Sequence, residues 1–167
     1  MRRVLVIGSP GAGKSTLSHA LAQATGLPLF HLDRMFWRPG WIERDRDEGR
    51  AELAGVLAQD RWIIDGNYGS SLPLRVERAD RVIWLDYPTY LCLTRILKRW
   101  WHYRGRARPD MTEGCPERLD LEFLFYVLTF RAAWRERNAA ALEQFKGTVV
   151  RLSNPRQATD WLAQQGS

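Results

Sequence analysis

Cysteine, lysine and histidine are all scarce in this chain of 167 residues. The two cysteines, Cys92 and Cys115, are too few for a disulfide framework, and no Cys/His cluster has zinc-ligand spacing. Both are expected to be reduced thiols. The three histidines, His19, His31 and His102, are scattered, which argues against a metal site or a catalytic dyad built from them. No apolar run approaches the roughly 18 residues that would cross a bilayer, so no membrane partner is expected. There is no internal repeat and no low-complexity tract. The start, Met-Arg-Arg before a short apolar stretch, looks like a secretory leader only superficially, since Gly8 to Ser15 would fall inside the removed piece. The expected location is the cytoplasm.

With only three lysines among 25 basic residues, the charge is carried by arginine. The formal charge of +6 and the pI near 9.8 call for an anionic partner, nucleotide or nucleic acid. Arginine's planar fork serves phosphate contact in both cases. The length suits one α/β domain over residues 1–167.

Gly8-Ser9-Pro10-Gly11-Ala12-Gly13-Lys14-Ser15 fills every fixed position of the G-x-x-x-x-G-K-[ST] phosphate loop. The apolar run Arg3 to Ile7 before it reads as a buried strand, and Ser15 to Ala24 after it reads as a helix. Glycines let successive N–H groups turn inward on a di- or triphosphate, while the helix directs its positive end at the same anion. Lys14 is expected on the β/γ-phosphates, the Ser15 hydroxyl on Mg²⁺ and Thr16 near the α-phosphate.

Apolar runs ending in polar or glycine residues recur at 3–8, 27–32, 61–65, 81–86 and 148–152, with helical periodicity between them. Strands alternating with helices imply a parallel sheet covered on both faces. Helices are expected at 43–59, packing through Ala51, Leu53, Ala54, Leu57 and Ala58, then at 89–103, 118–145 and 155–165. Between Trp100 and Glu117 the periodicity fails, and the arginine-rich stretch reads as an ordered but mobile excursion. Trp62 and Trp84 read as core.

Asp65 stands at the end of a strand, where open α/β sheets bind ligands, and could hold Mg²⁺ through water; a plain Asp-Gly turn is the alternative. Asp86 ends the next strand and is expected to cap the helix after it. Asp33 ends the second strand and could orient an acceptor hydroxyl or take its proton, a cap or salt bridge being the other reading. Arg95, Lys98, Arg99, Arg104, Arg106, Arg108 and Arg118, with Arg131 and Arg135 further on, could surround a transferred phosphoryl group; a solvated basic face is the plainer reading. Phe36-Trp37 and Trp41 lie where an acceptor pocket would be built.

With these residues the chain resembles the adenylate-kinase-like branch of P-loop kinases, which includes nucleoside monophosphate kinases and shikimate kinase. Three stretches resemble the bacterial DNA topology modulation proteins: His31-Leu32-Asp33 into Phe36-Trp37; Ile63-Ile64-Asp65-Gly66-Asn67-Tyr68; and Arg108-Pro109-Asp110 with Gly114-Cys115-Pro116-Glu117-Arg118. The resemblance implies a three-layer α/β/α P-loop fold with a five-stranded parallel sheet in the order 2-3-1-4-5 and a small helical lid over about 100–117. It also implies an acceptor site over the second helix. Arg95 and Arg99 correspond to arginines leading into the lid, Arg104 to the lid, Arg131 or Arg135 to the helix after it, and Ser153-Asn154-Pro155 to the loop against adenine. The chain departs from the pattern at two places. Asp65-Gly66-Asn67-Tyr68-Gly69 lacks the acceptor-phosphate arginine of monophosphate kinases, which Arg75 could replace only by another loop path. Neither His31 nor Met35 supplies the second acid of shikimate kinase.

The expected activity is transfer of the γ-phosphoryl of Mg·ATP to a small acceptor by a monomer or homodimer, with Gly8 to Thr16 and Asn154 on the nucleotide. Two alternatives are a nucleic-acid-associated ATPase and a nucleotide-gated interaction protein.

Overall fold

The structure, a computed structural model, describes residues 1–104, 111–117 and 119–165. Five strands form one parallel sheet: β1 (Arg3–Gly8), β2 (Leu29–His31), β5 (Trp62–Asp65), β6 (Arg81–Leu85) and β7 (Thr148–Leu152), in the order β2-β5-β1-β6-β7. Numbered among themselves, these strands run 2-3-1-4-5, the expected order. A small antiparallel hairpin, β3 (Trp37–Arg38) with β4 (Ile42–Glu43), stands apart from the sheet.

The helices are α1 (Lys14–Thr25), α2 (Leu32–Phe36), α3 (Arg46–Leu57), α4 (Leu72–Arg78), α5 (Thr89–Tyr103), α6 (Leu121–Glu143) and α7 (Pro155–Ala163). Strand alternation sends Leu5 and Ile7 of β1 to one face with Ile64, Val82, Trp84, Leu53 and Val76. Val4 and Val6 go to the other face with Ile63, Ile83, Leu85, Leu17 and Leu21. Two cores on opposite sides of a central sheet make the three-layer sandwich. Trp62 and Trp84 are buried as expected, both cysteines are free and buried, and among the described residues no helix is long and apolar enough to cross a membrane.

Three expectations need correction. The helix placed at 43–59 begins at Arg46, because Asp45 caps it by accepting from the Asp47 and Glu48 N–H groups. Residues 42–43 belong instead to the hairpin. Its buried side is Gly49, Leu53, Val56 and Leu57, while Ala51, Ala54 and Ala58 are exposed. The second strand stops at His31, so Asp33 lies in the first turn of α2. Asp86 does not cap α5, whose N-cap Pro88 has no side-chain hydrogen bond. Its carboxylate is buried and taken by arginines from α6 and β7.

Parallel order explains where a ligand can sit. β1 lies between β5 and β6, so the chain leaving it emerges over the middle of the sheet's carboxyl edge. In register, Asp65 pairs with Val6 and His31 with Asp65, which sets the ends of β2 and β5 beside the start of the loop.

Candidate active site

The turn from β1 into α1 is possible only with glycine. A Cβ on Gly8, at φ +147°, would lie 2.4 Å from the Leu85 carbonyl oxygen, and one on Gly11, at φ +79°, 2.5 Å from that of Cys92. The tight path leaves α1 with Gly13 as N-cap and no capping side chain. Its first-turn N–H groups are therefore left for an anion, with the helix dipole behind them.

Lys14 folds back over the loop and donates to the Gly8 and Ser9 carbonyls at 2.9 and 3.2 Å. Burial pushes its pKa down, and Asp33 and Asp65 partly oppose this. Asn67, from the turn after β5, clamps the loop from the other side: its Oδ1 accepts from Gly8 N–H and its Nδ2 donates to Gly8 carbonyl. Arg95 of α5 donates to the Ala12 carbonyl at 3.0 Å and lies over the Tyr87 ring.

One cavity of about 1210 Å³ runs along the carboxyl edge of the sheet. Pro10 to Thr16 form its floor. Pro155, Ala158, Thr159 and Leu162 of α7 line it on the β7 side, while Asp33, Trp37, Trp41 and Asn67 to Gly69 line it on the β2 side. Asp33, Asp65, Arg95 and Arg99 all reach it. Asn154 is absent from the lining, and its side chain caps α7 by accepting from Gln157 N–H.

The remaining arginines are divided. Arg99 is ion-paired with the buried Glu117 at 2.6 Å. Arg104 stacks on Trp100 and Trp101 and bridges to Glu117 through its backbone. Arg131 and Arg135 lie outside the cavity on Asp86, at 3.0 and 3.8 Å, together with Arg151. Burial alone would raise the Asp86 pKa, but hydrogen bonds from Arg151 and Arg131 hold it below the usual carboxylate range. Arg106, Arg108 and Arg118 lie outside the described residues.

Within the expected lid, residues 111–117 dock onto the hairpin. Thr112 donates to the Trp37 carbonyl, Gly40 N–H to the Gly114 carbonyl, Cys115 Sγ to the Arg38 carbonyl and Trp41 Nε1 to the Pro116 carbonyl. Hairpin and excursion thus form one wall.

Two features escaped sequence reasoning. His31 Nδ1 is 2.7 Å from Asp65 Oδ1, both buried, a pair that adjacent strand ends create across 34 residues. Arg75, fully buried, donates to Ser71 Oγ (3.1 Å) and to the carbonyls of Gly66 (3.0 Å), Asn67 (2.8 Å) and Tyr68 (2.9 Å). It builds the turn after β5 from behind and does not reach the cavity as an acceptor-phosphate arginine would.

Such a loop implies Mg²⁺, and the residues fit it. Asp65 Oδ2 is buried with no hydrogen-bond partner among the described residues, and Ser15 brings a hydroxyl to the same cavity. No group of three or more His, Cys, Asp or Glu able to hold a metal exists among the described residues. An ion here would therefore take most of its ligands from phosphate and water, as Mg²⁺ does.

Residues 4–58 match the ATPase family associated with various cellular activities (AAA), about a third of the chain. No curated protein matches. Among solved structures, shikimate kinase from Acinetobacter baumannii in complex with shikimate is similar over 98% of this chain and 90% of its own, at 19% identity and TM-score 0.59. Deoxyadenosine kinase from M. mycoides with bound dATP is similar over all of both chains, at 16% identity and TM-score 0.58. A sugar kinase from Janibacter sp. is similar over 99% and 94%, at 20% identity and TM-score 0.52.

The chain has the P-loop small-molecule kinase fold. At these identities the likeness extends to the fold alone and leaves the acceptor undetermined. Within that fold the phosphate loop lies at the centre of the cavity, with α7 along one side and α2 and the hairpin along the other.

Proposed function

We propose that this chain is an ATP-dependent phosphotransferase acting on a small hydroxyl-bearing acceptor. The observation that carries the reading is that the Lys14 loop and Asp33 open into the same cavity, with Asp33 near enough to influence the Lys14 ammonium. The nucleotide's phosphates lie on Gly8 to Thr16, with its base toward α7. Ser15, and Asp65 through water, would hold Mg²⁺, which would supply charge neutralisation on the phosphates. The acceptor oxygen attacks the γ-phosphorus, forming one P–O bond as the bond to the ADP oxygen breaks, and Asp33 takes the hydroxyl proton. Lys14, released from the loop carbonyls, and Arg95 and Arg99 of α5 stabilise charge on the transferred group. Arg104, held on Trp100 and Trp101, stays outside the cavity, and Arg131 and Arg135 act from behind the loop through Asp86. His31 orients Asp65 by occupying its Oδ1.

The test is ADP release from Mg·ATP by wild type and Lys14→Ala, each with a panel of nucleosides, nucleoside monophosphates and small hydroxylated metabolites. Acceptor-dependent release that falls at least about a hundredfold in Lys14→Ala, with circular dichroism unchanged, is expected. Undiminished release in that variant would remove the proposal.

A second reading is favoured by one surface feature. Trp101 is 70% exposed beside Trp100 and under Arg104, an aromatic–arginine pair of the kind that stacks on bases. Together with the +6 charge and the likeness of several motifs to DNA topology modulation proteins, it supports a nucleic-acid-associated ATPase. A gel-shift series at rising salt tests it; no shift at low salt disposes of it.

A further inference from the structure

The half of the cavity beyond Asp33 has a consistent chemical character. Its walls are aromatic. Trp37 packs edge-on against Trp41 at 5.5 Å, and Tyr68, also in the lining, stacks on Phe36 at 4.3 Å. Trp134 lies over Gly69, where a Cβ would come within 2.5 Å of its ring, and stacks on Phe130 at 5.2 Å. Trp41 is the one non-glycine residue at positive φ (+62°) among the described residues, a conformation that costs about 1–3 kcal/mol. Its indole is fixed to the Pro116 carbonyl, so the strain is held at the cavity wall.

Besides Asp65, four carboxylates line the cavity, Asp33, Glu117, Asp120 and Glu122, of which Glu117 is paired with Arg99. Asp33 is close enough to help raise the Tyr68 and Tyr126 phenols, each mainly raised by burial. The cations that reach the cavity among the described residues are Lys14, on the loop carbonyls, Arg95, on Ala12, and Arg99, paired with Glu117. Arg75 is spent on the backbone of the adjacent turn. A carboxylate or phosphate on the acceptor would lose its hydration beside Asp33 with no uncommitted fork among the described residues to replace it, a cost of several kcal/mol. A flat uncharged ring loses little water and gains about 1–3 kcal/mol on each aromatic face.

We propose that the acceptor is an uncharged nucleoside, its planar base stacked against Trp37 and Tyr68 and its sugar hydroxyl presented to Asp33. The proposal rests on the kinase reading and names the substrate class of that same site. The hydroxyl oxygen bonds to the γ-phosphorus, the bond from that phosphorus to the bridging oxygen of ADP breaks, and the proton passes to Asp33.

Tryptophan fluorescence of the full chain, loaded with a non-hydrolysable Mg·ATP analogue, is titrated with adenosine, guanosine, cytidine and thymidine, with their 5′-monophosphates, and with shikimate. Transfer from labelled ATP to the same compounds is measured in parallel. At least one nucleoside is expected to bind tenfold or more tighter than its monophosphate and than shikimate, and Trp37→Ala to weaken that binding at least tenfold. Tighter binding of an anion, or binding of none of the panel, overturns the proposal. So does Trp37→Ala that binds the analogue yet keeps wild-type nucleoside affinity. The wild-type comparison decides even if the variant fails to fold. Transfer to an anionic acceptor sinks this inference and leaves the kinase reading standing; tight nucleoside binding without transfer to any compound removes the kinase reading and with it the nucleoside's role as acceptor.

Discussion

Replacing Arg75 by methionine keeps most of the buried stem and removes four donor contacts, so it sets two large effects against each other. The guanidinium donates to Ser71 Oγ and to three successive backbone carbonyls at 2.8 to 3.1 Å. Hydrogen bonds from a charged donor are worth roughly 1.5–3 kcal/mol each, about 6–12 together. Against this, burial pushes the arginine's pKa from 12.5 down to about 9, which corresponds to a desolvation penalty of roughly 5 kcal/mol. Methionine relieves that penalty but leaves acceptors in a turn where Gly66 is buried and Asn67 and Tyr68 are half-buried. The difference favours the native arginine by about 4 kcal/mol, within a range of roughly 1–7. Urea unfolding followed by tryptophan fluorescence should show this loss, and thermal unfolding a fall of roughly 10 °C for a chain of this size. Arg75→Lys should recover less than half, because one ammonium cannot meet four acceptors arranged for a fork. A loss under about 1 kcal/mol, or any gain, would mean that desolvation outweighs the bonds and that the turn holds its own shape.

Asp86→Asn removes the common partner of Arg131, Arg135 and Arg151, whose side chains are roughly 40–50% exposed, so the loss should be about 1–2 kcal/mol and smaller in high salt. Because the folded carboxylate is held below its ordinary 3.8, its contribution is present above that value and lost as pH falls through the folded one. Unfolding curves of wild type and variant should therefore differ by a constant amount from about pH 7 to pH 5, and the difference should shrink as the pH falls below 3.8 through the depressed folded value. Gly69→Val drives a side chain into Trp134 and should raise the acceptor KM about tenfold by displacing that ring; initial rates at varied ATP should give an ATP KM within about twofold of wild type. His31→Gln loosens the orientation of Asp65 and should raise the Mg²⁺ concentration needed for half-maximal rate by about tenfold, measured by titrating the metal at fixed ATP.

What the sequence revealed about this molecule follows the range of the forces involved. The phosphate loop and the five sheet strands were legible because their determinants are local: glycines where no Cβ fits, and apolar runs bounded by turns. The turn of helix at α2, the β3–β4 hairpin and α4 were not, since each is too short to show a period and is held by distant partners, as Thr112 and Cys115 hold the hairpin. Asp86 misled for the same reason. A carboxylate just before a proline reads as a cap, but its partners Arg131 and Arg151 come from 45 and 65 residues away. The His31–Asp65 pair was only partly within reach. The expected order already made β2 and β5 neighbours, but with the second strand carried to Asp33 the matched ends put that residue, not His31, beside Asp65. Arg75 carries the deeper lesson. The missing acceptor-phosphate arginine was visible as a gap after Asp65, and an arginine stood nearby to fill it, yet the fold uses that arginine to shape the gap itself. An arginine committed to the turn's carbonyls cannot also meet an acceptor phosphate, so the gap after Asp65 and the role of Arg75 bear together on the second substrate's charge.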